Sequence, residues 1–388
     1  MGLKKCCTCG EERCVMGETV CTNPVWPCAM TGAVATLAGF TDLCVIIHGS
    51  SGCYYYPRSL LKIPLFSTLL LDSEIVFGTV DRLREVVEEV AKTGRSIAVV
   101  NTCVPALIGE DLEMALSKTT AMFVDAPGFC GNAEEGAKRA IFAMNPEISA
   151  EKSGINIDGI NLLDLFWRGN LYEMERLIGL LGISVAVRFC CDTWNNLQRG
   201  ASPVTISANS SYESNVGECL GSALFLDIPD LVDRVLMRFP NANVDAVLAD
   251  WQRADEQMFY FCDKYLRKYT PPVVAIAAQE SYALFAKKMM KRYFGSDVPV
   301  IFTRDRGMTG TSYSVNSMKI YAAVATAEPD LILGSTFEAA GYQRAAFFGI
   351  TPPNKSRISV AALPLVGIEG GLVLIEGVLN ALMNFHTD

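Results

Sequence analysis

Short apolar runs alternate with amphipathic stretches along almost the whole chain, and that alternation limits the fold more than any single motif. A short apolar run closed by turn residues suits a strand covered on both faces. Residues 43–48 (LCVIIH) form one, closed by Gly49, Ser50, Ser51 and Gly52. Residues 97–101 (IAVVN) form a second, stopping at Thr102 and Cys103. Residues 121–125 (AMFVD) form a third, which runs into Ala126, Pro127, Gly128, Phe129 and Cys130. Between the first two, Val80–Lys92 reads as a helix: Leu83, Val86, Val87 and Val90 share one face, while Arg82, Arg84, Glu85 and Glu88 face water. Strands separated by helices favour parallel α/β layers, whose strand ends share the edge where such sheets bind ligands.

The pattern continues downstream. A strand at NLLDLF (161–166), a helix at NLYEMERLIGLLG (170–182) and strands at ISVAVRF (183–189), PVTISAN (203–209) and ALFLDI (223–228) make a second unit. A long amphipathic stretch, 244–269, ends before Pro271 and Pro272, a stop signal for a helix. Strands at VVAIAA (273–278), PVIFTR (299–304), PDLILGS (329–335) and RISVAAL (357–363) make a third unit. The expected organisation is a cysteine-rich N-terminal segment over 1–24, then α/β domains over 25–150, 151–270 and 271–388.

Composition excludes several classes. Acidic residues number 42 against 33 basic ones, a formal net charge of −9, and no basic stripe with interleaved aromatics occurs, so nucleic acid is not an expected partner. The most apolar stretches, 33–47 and 366–383, are interrupted by Asp42 or by Glu369 and Glu376, which argues for buried strand and helix over a membrane span. The N-terminus, Met1 to Cys6, lacks the apolar core of a signal peptide, so a cytoplasmic location is expected. The 14 cysteines then imply thiols kept for metals or packing, in an oxygen-avoiding host.

Cys28, Cys53 and Cys103 are the thiols positioned for chemistry. The last two sit just past the first two apolar runs, and Cys28 comes from a proline-flanked segment upstream. Cysteine thiolates hold iron–sulfur clusters, and nearby turn amides tune them. Cys6, Cys9, Cys14 and Cys21 crowd the N-terminal segment, where a CxxC at Cys6 and Cys9 is a candidate for zinc or an additional cluster, the alternative being unligated thiols. Cys130 and also Cys44, Cys190, Cys191, Cys219 and Cys262 read as packing residues.

The stretch CAMTGAVATLAGFTDLCVIIHGSSGC (28–53), followed by TCVPALIGEDL (102–112), resembles the first domain of the nitrogenase component 1 family. PDLILGSTFEAAG and LPLVGIEGGLVLIEGVLNALMN resemble its third domain, so the likeness runs from about residue 20 to 385. That family includes both subunits of the nitrogenase catalytic protein, its cofactor-assembly scaffold and the nitrogenase-like reductases of tetrapyrrole synthesis. The resemblance implies an α/β fold of three Rossmann-like, doubly wound parallel-sheet domains. It also implies that Cys28, Cys53 and Cys103 bind an iron–sulfur cluster at a subunit interface. Such a cluster is either 4Fe–4S, completed by a partner ligand, or an eight-iron, P-cluster-like group shared by two chains. The implied partners are an ATP-dependent iron protein and either an identical chain or a paralogous component 1 subunit. The activity so implied is that of a nitrogenase-like oxidoreductase, reducing a substrate held between its domains. A scaffold for assembly of a nitrogenase-type metal cofactor is the alternative, and a non-redox ligand-binding protein is the third reading.

Two departures from the family bear on the substrate. Nitrogenase holds its iron–molybdenum cofactor with one cysteine in the second domain and one histidine in the third. Here PVTISANSSYES offers Ser207, Asn209 and Ser210, and the loop Pro364, Leu365, Val366 and Gly367 has no histidine, which implies a member that does not reduce dinitrogen. The two histidines, His48 and His386, lack any nucleophile motif, so hydrolase chemistry is not expected, and His48 is expected to bond turn backbone. No GxxxxGK[ST] loop is present, and Gly307–Ser312 reads as a polar turn.

Overall fold

A computed structural model describes residues 26–305, 311–314, 316–356 and 358–387. Cys6, Cys9, Cys14, Cys21 and most of the 307–312 segment lie outside the described residues. In chain order the elements begin α1 (Ala29–Leu37), β1 (Leu43–His48), α2 (Ser51–Leu61), β2 (Phe66–Ser67), α3 (Asp72–Phe77), α4 (Val80–Ala91), β3 (Ser96–Asn101), α5 (Cys103–Ile108), α6 (Leu112–Leu116), β4 (Met122–Asp125) and α7 (Ala133–Met144). They continue with β5 (Ile155–Asp158), α8 (Trp167–Leu180), β6 (Val185–Arg188), α9 (Trp194–Gln198), β7 (Val204–Ser207), β8 (Glu218–Ser222), α10 (Ile228–Arg238) and α11 (Val244–Leu266). The last are β9 (Val274–Ala278), α12 (Glu280–Phe294), β10 (Val300–Thr303), β11 (Ser312–Tyr313), α13 (Ser317–Ala327), β12 (Leu331–Gly334), α14 (Thr336–Gly341), β13 (Ala346–Gly349) and α15 (Gly367–Thr387).

These elements build three sheets, ordered β2-β1-β3-β4, β6-β5-β7-β8 and β11-β10-β9-β12-β13. The described pairings are parallel throughout, so the fold is α/β with three parallel sheets. The chain divides into two compact units, the first holding residues up to 149 with 161–163 and 187–201, the second the remainder. The third sheet and the second, apart from Val187 and Arg188 of β6, belong to the second unit.

In the first unit, β1 is buried along its whole length and β3 from its second residue on, as expected of central parallel strands. Helix α4 covers one face of the sheet, and its Leu83, Val87 and Val90 pack with Cys44, Ile46, Ile97 and Val99. On another side, α1 and α7 meet at a glycine crossing, Gly32 against Ala133 and Gly136 against Ala29, just after Cys28.

Three expected strands are absent. NLLDLF is a turn: Asn161 Oδ1 accepts the Leu163 amide at 3.0 Å and Asp164 Oδ1 accepts the Phe166 amide at 2.9 Å, so the two polar side chains bend the backbone. The strand lies upstream, at β5. ALFLDI is a 3-10 turn, Phe225–Asp227, that leads into α10, with β8 before it. RISVAAL forms no strand over its described residues, and Ile358 and Val360 are 93% and 97% exposed. The sheet edge beside β12 is taken by β13, which leaves that run without a neighbour. Cys219 is also not a packing residue, being exposed on β8, whereas Cys44, Cys190 and Cys262 are buried.

Among the described residues α15 is the one helix long and apolar enough to cross a membrane. It packs against α11, α8 and β13 in the second unit. A Cβ on Gly377 would lie 2.1 Å from the Phe348 ring and one on Gly371 would lie 2.6 Å from Phe225, so its glycine face is pressed onto protein.

Candidate metal centre

The first sheet aligns its strand ends. His48 pairs across from Asn101, and Asn101 from Asp125, so β1, β3 and β4 finish level with one another. Asn101 Nδ2 donates to Asp125 Oδ1 at 2.8 Å and ties two of the ends together. Each end is followed by a segment bearing a cysteine. Cys53 lies in the first turn of α2, its amide donating to the Ser50 carbonyl at 3.1 Å, and Cys103 begins α5. Cys130 closes a 3-10 turn, Gly128–Cys130, after β4.

Cys28 reaches this edge by helix packing. It caps α1 and bridges to Asn132, while the Ala29 amide donates to the Gly131 carbonyl at 2.9 Å. The start of α1 is thereby bound to the loop that follows β4.

The three thiols share one small region, and each has a polar neighbour. Gly128 donates its amide to Cys103 Sγ at 3.1 Å. A Cβ built on Gly128 would lie 3.1 Å from both Cys103 Sγ and Cys28 Sγ, so the residue touches two of the three sulfurs. Thr31 Oγ1 lies 3.6 Å from Cys28 Sγ, and Ser50 Oγ lies 3.9 Å from Cys53 Sγ. Burial pushes the Cys53 thiol up, hydrogen bonds from Ser50 and Thr102 oppose this, and the neighbouring Cys103 and Cys28 add to it. All three cysteines are half-buried, and every described cysteine is free of a disulfide.

His48 holds the edge and does not bond turn backbone as expected. Its Nδ1 lies 3.2 Å from Thr68 Oγ1 and its Nε2 2.9 Å from Thr79 Oγ1. Thr79 spends its own proton on the Glu110 carboxylate, so it accepts from His48 Nε2–H. Burial lowers the His48 pKa to about 4, against the opposing charge of Glu110, and keeps the ring neutral. The His48 carbonyl accepts from Thr102 Oγ1 at 2.8 Å, which links the turn before Cys53 to the residue before Cys103.

The surface beside the thiols is apolar. Tyr55 on α2, Phe77 on α3 and Leu107 on α5 are 60%, 90% and 76% exposed, and Tyr56, Leu60, Leu71, Val76 and Ile108 are exposed with them. Isolated apolar side chains on a surface are ordinary, whereas here Tyr55, Tyr56 and Leu60 on α2, the helix of Cys53, and Leu107 and Ile108 on α5, which Cys103 begins, are exposed together.

The donor set fits a polynuclear iron–sulfur group. It consists of soft thiols with amide and hydroxyl donors beside them, around room left by a residue without a side chain. Among the described residues no group of three His, Cys, Asp or Glu side chains is placed to hold a single metal ion.

In the second unit, the strand-exit residues singled out in the sequence differ. Asn209 is bonded internally, accepting the Ser211 amide at 3.0 Å and donating to Gln279 at 3.2 Å. Ser210 is exposed, and Ser207 Oγ is buried with no hydrogen-bond partner among the described residues. Val366 is fully buried, its amide held by Asn170 Oδ1 at 3.2 Å.

A family model for nitrogenase component 1 type oxidoreductases matches residues 28–224, a little over half of the chain. The nitrogenase molybdenum-iron protein beta chain of Sinorhizobium fredii is 30% identical over 199 residues, covering 45% of this chain and 38% of that one. The nitrogenase iron-molybdenum cofactor biosynthesis protein NifE of Rippkaea orientalis is 31% identical over 198 residues, covering 44% and 42%. The matched region thus spans less than half the length of either relative. In fold the likeness is wider: a solved structure titled "Nitrogenase Cp1 at pH 6.5" superposes with a TM-score of 0.80 at 16% identity, covering 96% of this chain and 95% of that one. On these grounds the chain belongs to the nitrogenase component 1 type oxidoreductase family.

Proposed function

We propose that this protein is the cluster-bearing subunit of a nitrogenase-like reductase, with Cys28, Cys53 and Cys103 as its ligands. The observation that carries this reading is the gathering of three half-buried thiols on one sheet edge, beside an exposed apolar surface. A bound iron–sulfur cluster would supply one-electron redox chemistry at low potential. The protein's part is to present three thiolates, which must lose their protons for ligation. Ser50, Thr102 and the Gly128 amide offset that cost by donating to sulfur. The apolar rim of α2, α3 and α5 excludes water once a second component 1 subunit, identical or paralogous, covers it. Electrons would come from a separate ATP-dependent iron protein, in a reducing, cytoplasmic setting.

A scaffold for a nitrogenase-type metal cofactor is the second reading. The similarity to NifE favours it, as do the internally bonded Asn209 and the buried Val366, since a scaffold must release its cargo. The two readings separate in one experiment. Anaerobically purified protein is supplied with an iron protein, ATP and candidate small-molecule substrates, and in parallel with an apoprotein acceptor. Turnover of a small molecule supports the reductase. Transfer of a metal cluster to the acceptor, without turnover, overturns it in favour of the scaffold.

A further inference from the structure

Gly128 occupies a backbone conformation that does not require glycine. It begins the 3-10 turn after Pro127, whose φ of −60° and ψ of 144° are ordinary extended values, and it is not among the residues with positive φ. The turn is closed by the Cys130 amide on the Pro127 carbonyl at 2.9 Å, a bond any residue at 128 would permit. Glycine is required instead by the sulfurs. A Cβ would meet Cys28 Sγ and Cys103 Sγ at 3.1 Å each, closer than carbon and sulfur normally approach, so both would have to move by a few tenths of an ångström. The same residue's amide points at Cys103 Sγ from 3.1 Å.

We propose that Gly128 is a positioning residue for the metal group, resting on the assignment of Cys28, Cys53 and Cys103 as ligands: it keeps the room between two sulfurs open and donates an amide hydrogen bond to one of them. An amide donor to a ligating sulfur favours the more negatively charged, reduced state of a cluster and so raises its reduction potential. Moving Cys103 Sγ away from that amide lowers the potential. A Gly128→Ala variant retains the amide and adds the carbon, so the turn survives while the sulfur geometry changes.

The test compares wild-type and Gly128→Ala protein, both purified anaerobically with their partner subunit. Iron and acid-labile sulfide are measured first, then the midpoint potential by a titration followed by electron paramagnetic resonance. Wild-type protein without iron overturns the ligand assignment itself, separately from the role of Gly128. With iron in the wild type, the expected result for Gly128→Ala is a midpoint shifted to more negative values, or loss of iron with an unchanged circular dichroism spectrum. Full iron at an unchanged midpoint overturns the proposal. Should the variant not fold, wild-type protein labelled with 15N-glycine and 13C-carbonyl proline decides, because Pro127–Gly128 is the sole Pro-Gly peptide in the sequence. A hyperfine-shifted Gly128 amide supports contact with a cluster ligand, and an unshifted one overturns it.

Discussion

Gly136 of α7 sits so close to the backbone of Ala29 in α1 that a Cβ would fall 1.7 Å from the Ala29 carbonyl oxygen. The relation is reciprocal, since a Cβ on Gly32 would fall 1.9 Å from the Ala133 carbonyl oxygen. Two helices in backbone contact fix the start of α1, and Cys28 is the residue just before it. Gly136→Ala should therefore cost about 1–3 kcal/mol of stability, the usual range for overpacking, and should also reduce bound iron by displacing Cys28. Chemical denaturation and iron analysis of the variant check the two effects independently.

Burial makes His48 a source of acid sensitivity. Its pKa falls from 6.5 to about 4 on folding, so the unfolded chain binds a proton more readily between these values. The stability held by the neutral ring is complete above about pH 6.5 and is lost as pH falls toward 4, a change of about 3 kcal/mol. Asp158 and Asp164, both raised to about 6 by burial, act in the opposite sense, adding stability as pH falls through 6. The prediction thus concerns a difference: denaturation midpoints of wild type and His48→Asn, measured from pH 7.5 to 4.5, should converge as the pH falls.

Asn170 binds three parts of the second unit. Its side-chain oxygen accepts the Leu365 and Val366 amides at 2.7 and 3.2 Å, and its nitrogen donates to Asp164 at 3.0 Å and to Tyr282 at 2.8 Å. Asn170→Ala leaves these buried groups short of partners, at a cost of about 1–3 kcal/mol for each group left unsatisfied. Thermal unfolding should show a lowered midpoint, with bound iron in the first unit unchanged at low temperature.

Phe77 and Leu107 test the apolar face. Both are largely exposed, so Phe77→Asp and Leu107→Asp should change the stability of the isolated chain by no more than about 0.5 kcal/mol. In analytical ultracentrifugation the same variants should dissociate the assembly that covers the thiols. Association unchanged from wild type would remove the role assigned to this surface.

Three strands of the first sheet, β1, β3 and β4, were readable from the sequence because they are apolar runs closed by glycine, threonine or proline, whereas the two-residue β2 was not. Expected and observed limits agree for β1, and differ by one residue for β3 and β4. The failures share a cause. NLLDLF, ALFLDI and RISVAAL are apolar enough for strands, but local side-chain bonds bend the first, a 3-10 turn takes the second, and the third has no strand to pair with. A one-dimensional pattern does not report which sheet edge is vacant. For the candidate site, the sequence singled out the three cysteines but not Gly128, Thr31 or the His48–Thr79–Glu110 chain. Gly128 and the His48–Thr79–Glu110 chain depend on contacts between positions far apart in the chain, while Thr31 lies one helical turn from Cys28 and was overlooked; Gly128 in GFCG offered a signal, as a residue needed for close approach.

The claim on which the account rests is that Cys28, Cys53 and Cys103 hold iron together. Its most direct test is the iron and acid-labile sulfide content of anaerobically purified wild-type protein beside Cys53→Ala, each with its partner subunit. The account predicts several irons with matching sulfide per assembly in the wild type and their loss, or near loss, in the variant. Full iron occupancy in Cys53→Ala, or a wild-type protein that carries none, would contradict it.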